Sequence, residues 1–199
     1  MYSLKKNLCL FLIFILNVSF CVSASENIDS FENYKLALRQ LKLSNIIMGP
    51  DVDDSYYYDK FDQLRSSRAE SAVVIFRWLN MEETDYINHE TIFTDCADDH
   101  WAANYIKGMH EIGIVSGYGD GTFRPNEYIT EYELVTMLVR ALEYEDFPTE
   151  HKEYPKKYIE IAEKTNLLKG TQISMSGDKE ITYGETLLLL FNAFYTLNI

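Results

Sequence analysis

The chain has 199 residues, with 18 Lys+Arg against 31 Asp+Glu and a formal net charge of −13. Hydrophobic residues make up 47% and aromatic residues 14%, a globular composition that excludes wholesale disorder and collagen-like fibre. A surface this acidic repels nucleic-acid phosphates over long range, so duplex DNA or RNA is excluded as a partner.

The first element is an address. Lys5 and Lys6 precede an unbroken apolar run, Leu8 to Leu16, and Val22-Ser23-Ala24 offers small residues for cleavage before Ser25. Residues 1–24 therefore read as a secretory signal peptide. The run is too short to cross about 30 Å of hydrocarbon comfortably, and a lipoprotein reading through Cys21 meets bulky Phe20 where a small residue is wanted. The mature protein is expected to be exported and not membrane-spanning. Cleavage removes two basic and no acidic residues, which leaves 16 basic against 31 acidic, a net −15. It also removes Cys9 and Cys21, leaving Cys96 with no partner for an internal disulfide. The mature chain must hold together by packing.

Three segments then align: Tyr34 to Gly49, Ala102 to Gly117 and Pro155 to Gly170. Leu38, Ile106 and Ile159 fall at one matching position, and Leu41, Met109 and Ala162 at another, the spacing of one buried helical face. Four residues before each glycine stand Asn45, Gly113 and Asn166, residue types that tolerate the left-handed conformation ending a helix. Ile46, Ile114 and Leu167 follow, placed to fold back on the last turn.

A second helix is predicted in each segment. Ser67-Arg68-Ala69-Glu70, Thr130-Glu131-Tyr132-Glu133 and Thr182-Tyr183-Gly184-Glu185 all read as capping boxes, in which hydroxyl and carboxylate each satisfy one free backbone N–H. The bodies behind them, 71–79, 134–142 and 186–194, superpose position by position, with Arg77 over Arg140 and Asn192. They are apolar nearly all round and are expected to pack together at the centre. The box glutamates are 63 and 52 residues apart, the scale of helical repeat units too small to fold singly. Between the helices of the second copy lies Gly117 to Asn126, where Asp120-Gly121 is a turn signal and Pro125 stiffens the approach to the next cap.

The second copy, from Phe93-Thr94-Asp95 through His100-Trp101-Ala102, Gly113-Ile114 and GYGDGTFRPN to Thr130–Arg140, closely resembles an S-layer homology (SLH) domain. The first copy keeps Ser-Arg-Ala-Glu and the flanking helices with an altered middle loop, and the third keeps helices and caps without the glycine-rich loop. The resemblance implies an all-α fold: three helix–loop–helix copies, 25–89, 90–146 and 147–199, forming a pseudo-threefold spindle around a central three-helix bundle. It further implies non-covalent attachment to the bacterial cell wall or S-layer, through a secondary, peptidoglycan-linked cell-wall polysaccharide often bearing a pyruvate ketal. The grooves between copies are lined by the family's Thr-Arg-Ala-Glu motif, whose arginine pairs with the ligand carboxylate.

The ligand-binding candidates carried over are Ser67, Arg68, Glu70, Trp101, Asp120, Arg124, Thr130, Glu133, Thr182 and Glu185. A helix start offers N–H groups and the positive end of the dipole, and arginine adds a planar fork that matches a carboxylate. Arg68 alone keeps the motif arginine; Glu131 and Tyr183 stand at the equivalent positions. Each candidate also has a plainer reading. Capping alone accounts for the hydroxyls and glutamates. Trp101, at helical spacing with Tyr105, reads more readily as core than as a sugar platform. Arg124 is either an anion contact or a solvated side chain.

No hydrolase, phosphate-loop or dinucleotide signature occurs, so neither an enzyme nor a cofactor is expected. Cys96 and His100 are too few ligands for a closed zinc site. Asp51-Val-Asp53-Asp54-Ser55, with Asp59 and Asp62, faintly resembles a calcium loop but lacks its sixth-position glycine. The sequence ends at Ile199 directly after the third copy, so no cargo domain is expected. The alternative function is a structural scaffold of the envelope whose altered motifs contact other envelope proteins.

Overall fold

A computed structural model describes residues 30–47, 60, 63–90, 92–175 and 178–196. The expected signal peptide and the calcium-like aspartates between 51 and 62 lie outside the described residues. Six α-helices are described: α1 Ser30–Leu43, α2 Arg68–Trp78, α3 Ala103–Glu111, α4 Glu131–Ala141, α5 Lys156–Lys164 and α6 Tyr183–Thr196. Short 3-10 turns cover Glu83–Tyr86 and Tyr144–Asp146. The protein is all-α. Among the described residues no helix is long and apolar enough to cross a membrane.

The outer helices α1, α3 and α5 end in the way the sequence predicts. Asn45, Gly113 and Asn166 adopt φ of 54°, 80° and 58°, all left-handed. Immediately after, Ile46 N–H donates to the Leu41 carbonyl at 3.0 Å, Ile114 N–H to Met109 at 2.9 Å and Leu167 N–H to Ala162 at 3.1 Å. This six-to-one bond is the Schellman closure, and it buries Ile46, Ile114 and Leu167 under the last turn. The shared tie extends inward: Arg140 Nη1 donates to the Ile114 carbonyl at 3.2 Å and the superposed Asn192 Nδ2 to the Leu167 carbonyl at 2.7 Å. Two different side chains at one repeat position hold the equivalent carbonyl.

Buried faces follow the predicted positions with one correction. Leu38, Ile106, Leu41, Met109 and Ala162 are buried, but Ile159 is only partly so. In α5 the inward face turns toward Tyr158 and Ile161, which lie on either side of Ile159 in sequence.

The inner helices α2, α4 and α6 all touch one another, as their apolar bodies require. Their partners outside come from the neighbouring copy: α3 packs on α2, α5 on α4, and α1 on α6. The first described outer helix thus covers the last inner one.

The segments entering the three inner helices are also joined pairwise. Single antiparallel bridges link Ser67 to Tyr128, Thr130 to Glu180 and Arg65 to Thr182. Each consists of main-chain bonds just before a cap, such as Ile129 N–H to Ser66 O at 3.0 Å, Ile181 N–H to Ile129 O at 3.0 Å and Tyr183 N–H to Leu64 O at 2.9 Å. The three helix starts therefore meet at one end of the molecule, and residues at equivalent positions of successive copies face one another there.

Candidate functional site: three junctions between copies

At the first junction, α2 meets the loop and cap of the second copy. Ser67 and Glu70 form the predicted reciprocal box: Ser67 N–H donates to Glu70 Oε2 at 2.7 Å and Glu70 N–H to Ser67 Oγ at 3.1 Å. The two N–H groups between them are also used, Arg68 N–H by the Glu127 carbonyl at 2.9 Å and Ala69 N–H by Pro125 at 3.0 Å. The expectation that this helix start presents open donors to an anion is therefore corrected. The neighbouring copy's main chain has taken them.

Arg68 is buried, with 6% of its surface exposed. Its Nε donates to the Phe123 carbonyl at 2.8 Å and its Nη1 pairs with Glu133 Oε1 at 2.8 Å. The guanidinium lies 4.8 Å from the ring centres of both Tyr118 and Phe123. Glu133 accepts further bonds from the Tyr118 hydroxyl and from Thr130 N–H, while Thr130 Oγ1 accepts Glu133 N–H. Burial opposes ionisation of Glu133, yet Arg68 and these donors hold its carboxyl below the ordinary range. Burial and the bond to Glu133 push the Tyr118 phenol up to about 12. An arginine near a helix start, unfavourable to its own dipole, is thus compensated by the capping glutamate of the next copy.

The glycine-rich loop frames this pair. Asp95 accepts Phe123 N–H and Arg124 N–H, each at 2.8 Å, and so fixes the carbonyl that Arg68 uses. Asp120 accepts Thr122 N–H at 3.0 Å and Thr122 Oγ1 at 2.6 Å and pairs with Arg124 at 3.1 Å. The hydroxyl and backbone of Thr122, then Arg124, hold the Asp120 carboxyl down to about 2. Arg124 adopts φ of 60° and stacks 3.9 Å from the Tyr118 ring centre. Asp120 and Arg124 build the loop, and both keep exposed surface. Gly117 has φ of 64°, and a Cβ there would lie 2.3 Å from the Phe93 ring and 2.6 Å from the Thr122 carbonyl.

At the second junction the same positions carry Glu131 and Glu185. Glu131 N–H donates to the Lys179 carbonyl at 2.8 Å. The Glu131 side chain is buried, 8% exposed, and its Oε2 makes no hydrogen bond. Burial raises the Glu131 pKa, and the negative charges of Glu185 and Asp178 raise it further against the opposing charge of Lys179. Glu185 is equally buried; its Oε1 accepts the Tyr34 hydroxyl at 2.8 Å and Gln172 N–H at 3.0 Å. Thr182 Oγ1 caps Glu185 N–H at 3.1 Å.

At the third junction Tyr183 and Glu70 hold the equivalent positions, and here a groove of about 190 Å³ opens between α2 and α6. Val73, Val74, Leu187 and Leu190 line its apolar surface, with Ser66, Ser71, Glu70 and Arg77 as polar lining. Trp101 is 55% exposed and lines the same groove. This corrects the core reading of Trp101: the residue sits in the turn before α3, where helical spacing with Tyr105 does not apply. Tyr183 and Arg77, absent from the sequence-based candidates, belong to this groove. The signal for Tyr183 was its equivalence to Arg68.

A larger cavity of about 390 Å³ lies elsewhere, lined by His89, Phe93, Lys107, His110 and Glu111. Its polar groups already have partners, His89 Nδ1 lying 2.7 Å from Glu111 Oε2 and Lys107 pairing with Asp98 at 2.8 Å. Cys96 is buried, and burial together with Asp95 pushes its thiol up to about 11, so it stays protonated. Among the described residues no cluster of three His, Cys, Asp or Glu is placed to hold a metal.

Comparison with known proteins matches residues 92–133 to the S-layer homology domain. "Cell surface glycoprotein 1" of Acetivibrio thermocellus is 38% identical over 76 residues, 38% of this chain and 3% of that protein. The "Cellulosome-anchoring protein" of the same organism is 34% identical over 116 residues, 52% of this chain and 26% of that protein. The "Surface layer protein" of Brevibacillus choshinensis is 33% identical over 105 residues, 52% of this chain and 9% of that protein. The chain thus spans about a quarter or less of these relatives. The matched segment contains Asp95, the turn before α3, the glycine-rich loop and the Thr130–Glu133 cap, the parts that build the first junction. Residues 92–133 are the segment of this chain that is similar to the S-layer homology domain.

Proposed function

We propose that the chain is a non-catalytic module of the bacterial cell surface. It is made of three S-layer homology copies arranged as a pseudo-threefold spindle, and it attaches non-covalently to the wall by binding a secondary polysaccharide between copies. The observation that supports this most is the groove between α2 and α6. Its half-exposed Trp101 beside an apolar surface and the polar groups of Ser66, Ser71, Glu70 and Arg77 suits a pyranose, which has apolar faces and a hydroxyl rim. The relatives named for surface layers and cellulosome anchoring support the same location. In this reading the ligand carries a pyruvate ketal, whose carboxylate meets Arg77 in this groove. The acidic surface opposes such a ligand at long range, but screening over about 10 Å at 0.1 M salt leaves short-range donors in control.

The burial of Arg68 favours a second reading, a scaffold that contacts other envelope proteins. Co-sedimentation with native cell-wall sacculi, before and after removal of the ketal, separates the two. The chain is expected to sediment with intact sacculi and to lose most of that binding once the ketal is gone. No sedimentation with intact sacculi contradicts wall attachment.

A further inference from the structure

One position of the repeat is used differently in the first copy. In the second and third copies it carries Arg140 and Asn192, which donate to the Ile114 and Leu167 carbonyls just after the left-handed turns. Among the described residues, the equivalent Arg77 makes neither that bond to the Ile46 carbonyl nor an ion pair with a carboxylate. Its guanidinium lies instead 5.6 Å from the ring centre of Tyr105 on α3, and Arg77 lines the groove between α2 and α6.

Tyr105 is itself firmly held. Its hydroxyl donates to Glu83 Oε2 at 2.6 Å, Asn104 Nδ2 donates to Glu83 Oε1 at 3.2 Å, and Phe76 meets its ring edge-on at 5.1 Å. The bond to Glu83, then burial, raises the Tyr105 pKa against the opposing bond and charge of Arg77, so the phenol stays protonated and keeps donating. A phenol that donates to a carboxylate gains electron density on its ring, which strengthens the attraction for a guanidinium. Contact with a ring face uses none of the in-plane donors that match a carboxylate. Tyr105 stands outside the groove lining, so it reaches a ligand only through Arg77.

We propose that Tyr105, anchored by Glu83, is the positioning residue that aims Arg77 at an organic carboxylate in the groove between α2 and α6. This rests on the assignment of Arg77 made above and adds a residue that does not touch the ligand.

The probe is the pyruvate ketal of methyl glucoside, titrated into the full chain and followed by NMR. Tyr105→Leu is expected to weaken it about fivefold, and Tyr105→Phe, which keeps the ring, should stay within about twofold of native. The deciding readout is the cycle with Arg77→Met, which keeps the apolar stem. In that background Tyr105→Leu should have no further effect, whereas a purely structural role lowers binding by the same factor in both backgrounds. Equal loss in both, or no loss in the native background, overturns the proposal. Tyr105→Met, whose flexible chain fills the same space, gives the same comparison if the leucine variant fails to fold. Sacculus sedimentation is scored separately. Sedimentation with no coupling between Tyr105 and Arg77 sinks this inference alone, and coupled ketal binding without sedimentation sinks wall attachment alone. A native chain that does not bind the ketal sinks the assignment of Arg77 and this inference with it.

Discussion

The junctions around Arg68 and around Glu131 share one backbone plan and differ in a single decisive side chain. In both, the residue in question is the first of an inner helix, and main-chain bridges join the segments in front of the helices. At the first, opposite charges meet, every donor on the helix start is used, and an ordered loop covers the pair. At the second, burial and the negative charge of Glu185 raise the Glu131 pKa, and its buried Oε2 makes no hydrogen bond. The frame therefore does not depend on the ion pair. Main-chain pairing and apolar packing assemble both junctions, and the side chain at this position sets what each can do chemically.

The largest expected effect comes from breaking the compensated pair. Arg68→Ala leaves Glu133 largely buried without its counter-charge and the Phe123 carbonyl without its donor. It should destabilise the protein by about 3 kcal/mol, measured by denaturant unfolding. A loss below about 1 kcal/mol would show that the pair is not needed by the fold. Next, Gly117→Ala places a methyl into Phe93 and the Thr122 carbonyl at a left-handed φ, and about 2 kcal/mol should be lost. Thr130→Ala removes one half of a capping box and should cost about 1 kcal/mol in the same assay.

The smallest effect is a pH slope. An acid whose pKa is raised by folding binds more protons in the folded than in the unfolded state between the two pKa values, so stability falls as pH rises through that window. Glu131 is such a group, starting from an ordinary 4.5. Acidifying from neutral toward pH 4.5 should therefore recover stability in the native chain, and Glu131→Gln should remove that component. Glu133 runs the other way: its folded pKa is depressed, so its contribution is present above the ordinary value and is lost as pH falls through the folded one. An unchanged slope in Glu131→Gln would place the carboxylate in a more solvated setting than described.

These contrasts show what the sequence makes legible. Helix ends are local events. Asn45, Gly113 and Asn166 announced their left-handed turns by residue type, and Ser67–Glu70 and Thr130–Glu133 announced their boxes by spacing. Glu143, which ends α4 with φ of 58°, carried no such signal because its side chain has no preference for that region. Non-local facts were harder. The sequence displayed Arg68 but not the glutamate 65 residues later that neutralises it, because Glu133 already had a local explanation as a cap. Trp101 was assigned to a helix face it does not occupy, since periodicity cannot distinguish the turn before a helix from its first residues. The pairing of α1 with α6 joins the first described helix to the last, which no local pattern encodes.

The most direct test of the account is sacculus co-sedimentation of the native chain beside Trp101→Ala. Trp101 is half exposed, so its removal should leave the unfolding midpoint nearly unchanged while reducing retention on intact sacculi by about tenfold. Retention equal to that of the native chain, with the fold intact, would contradict placing the glycan in the groove between α2 and α6.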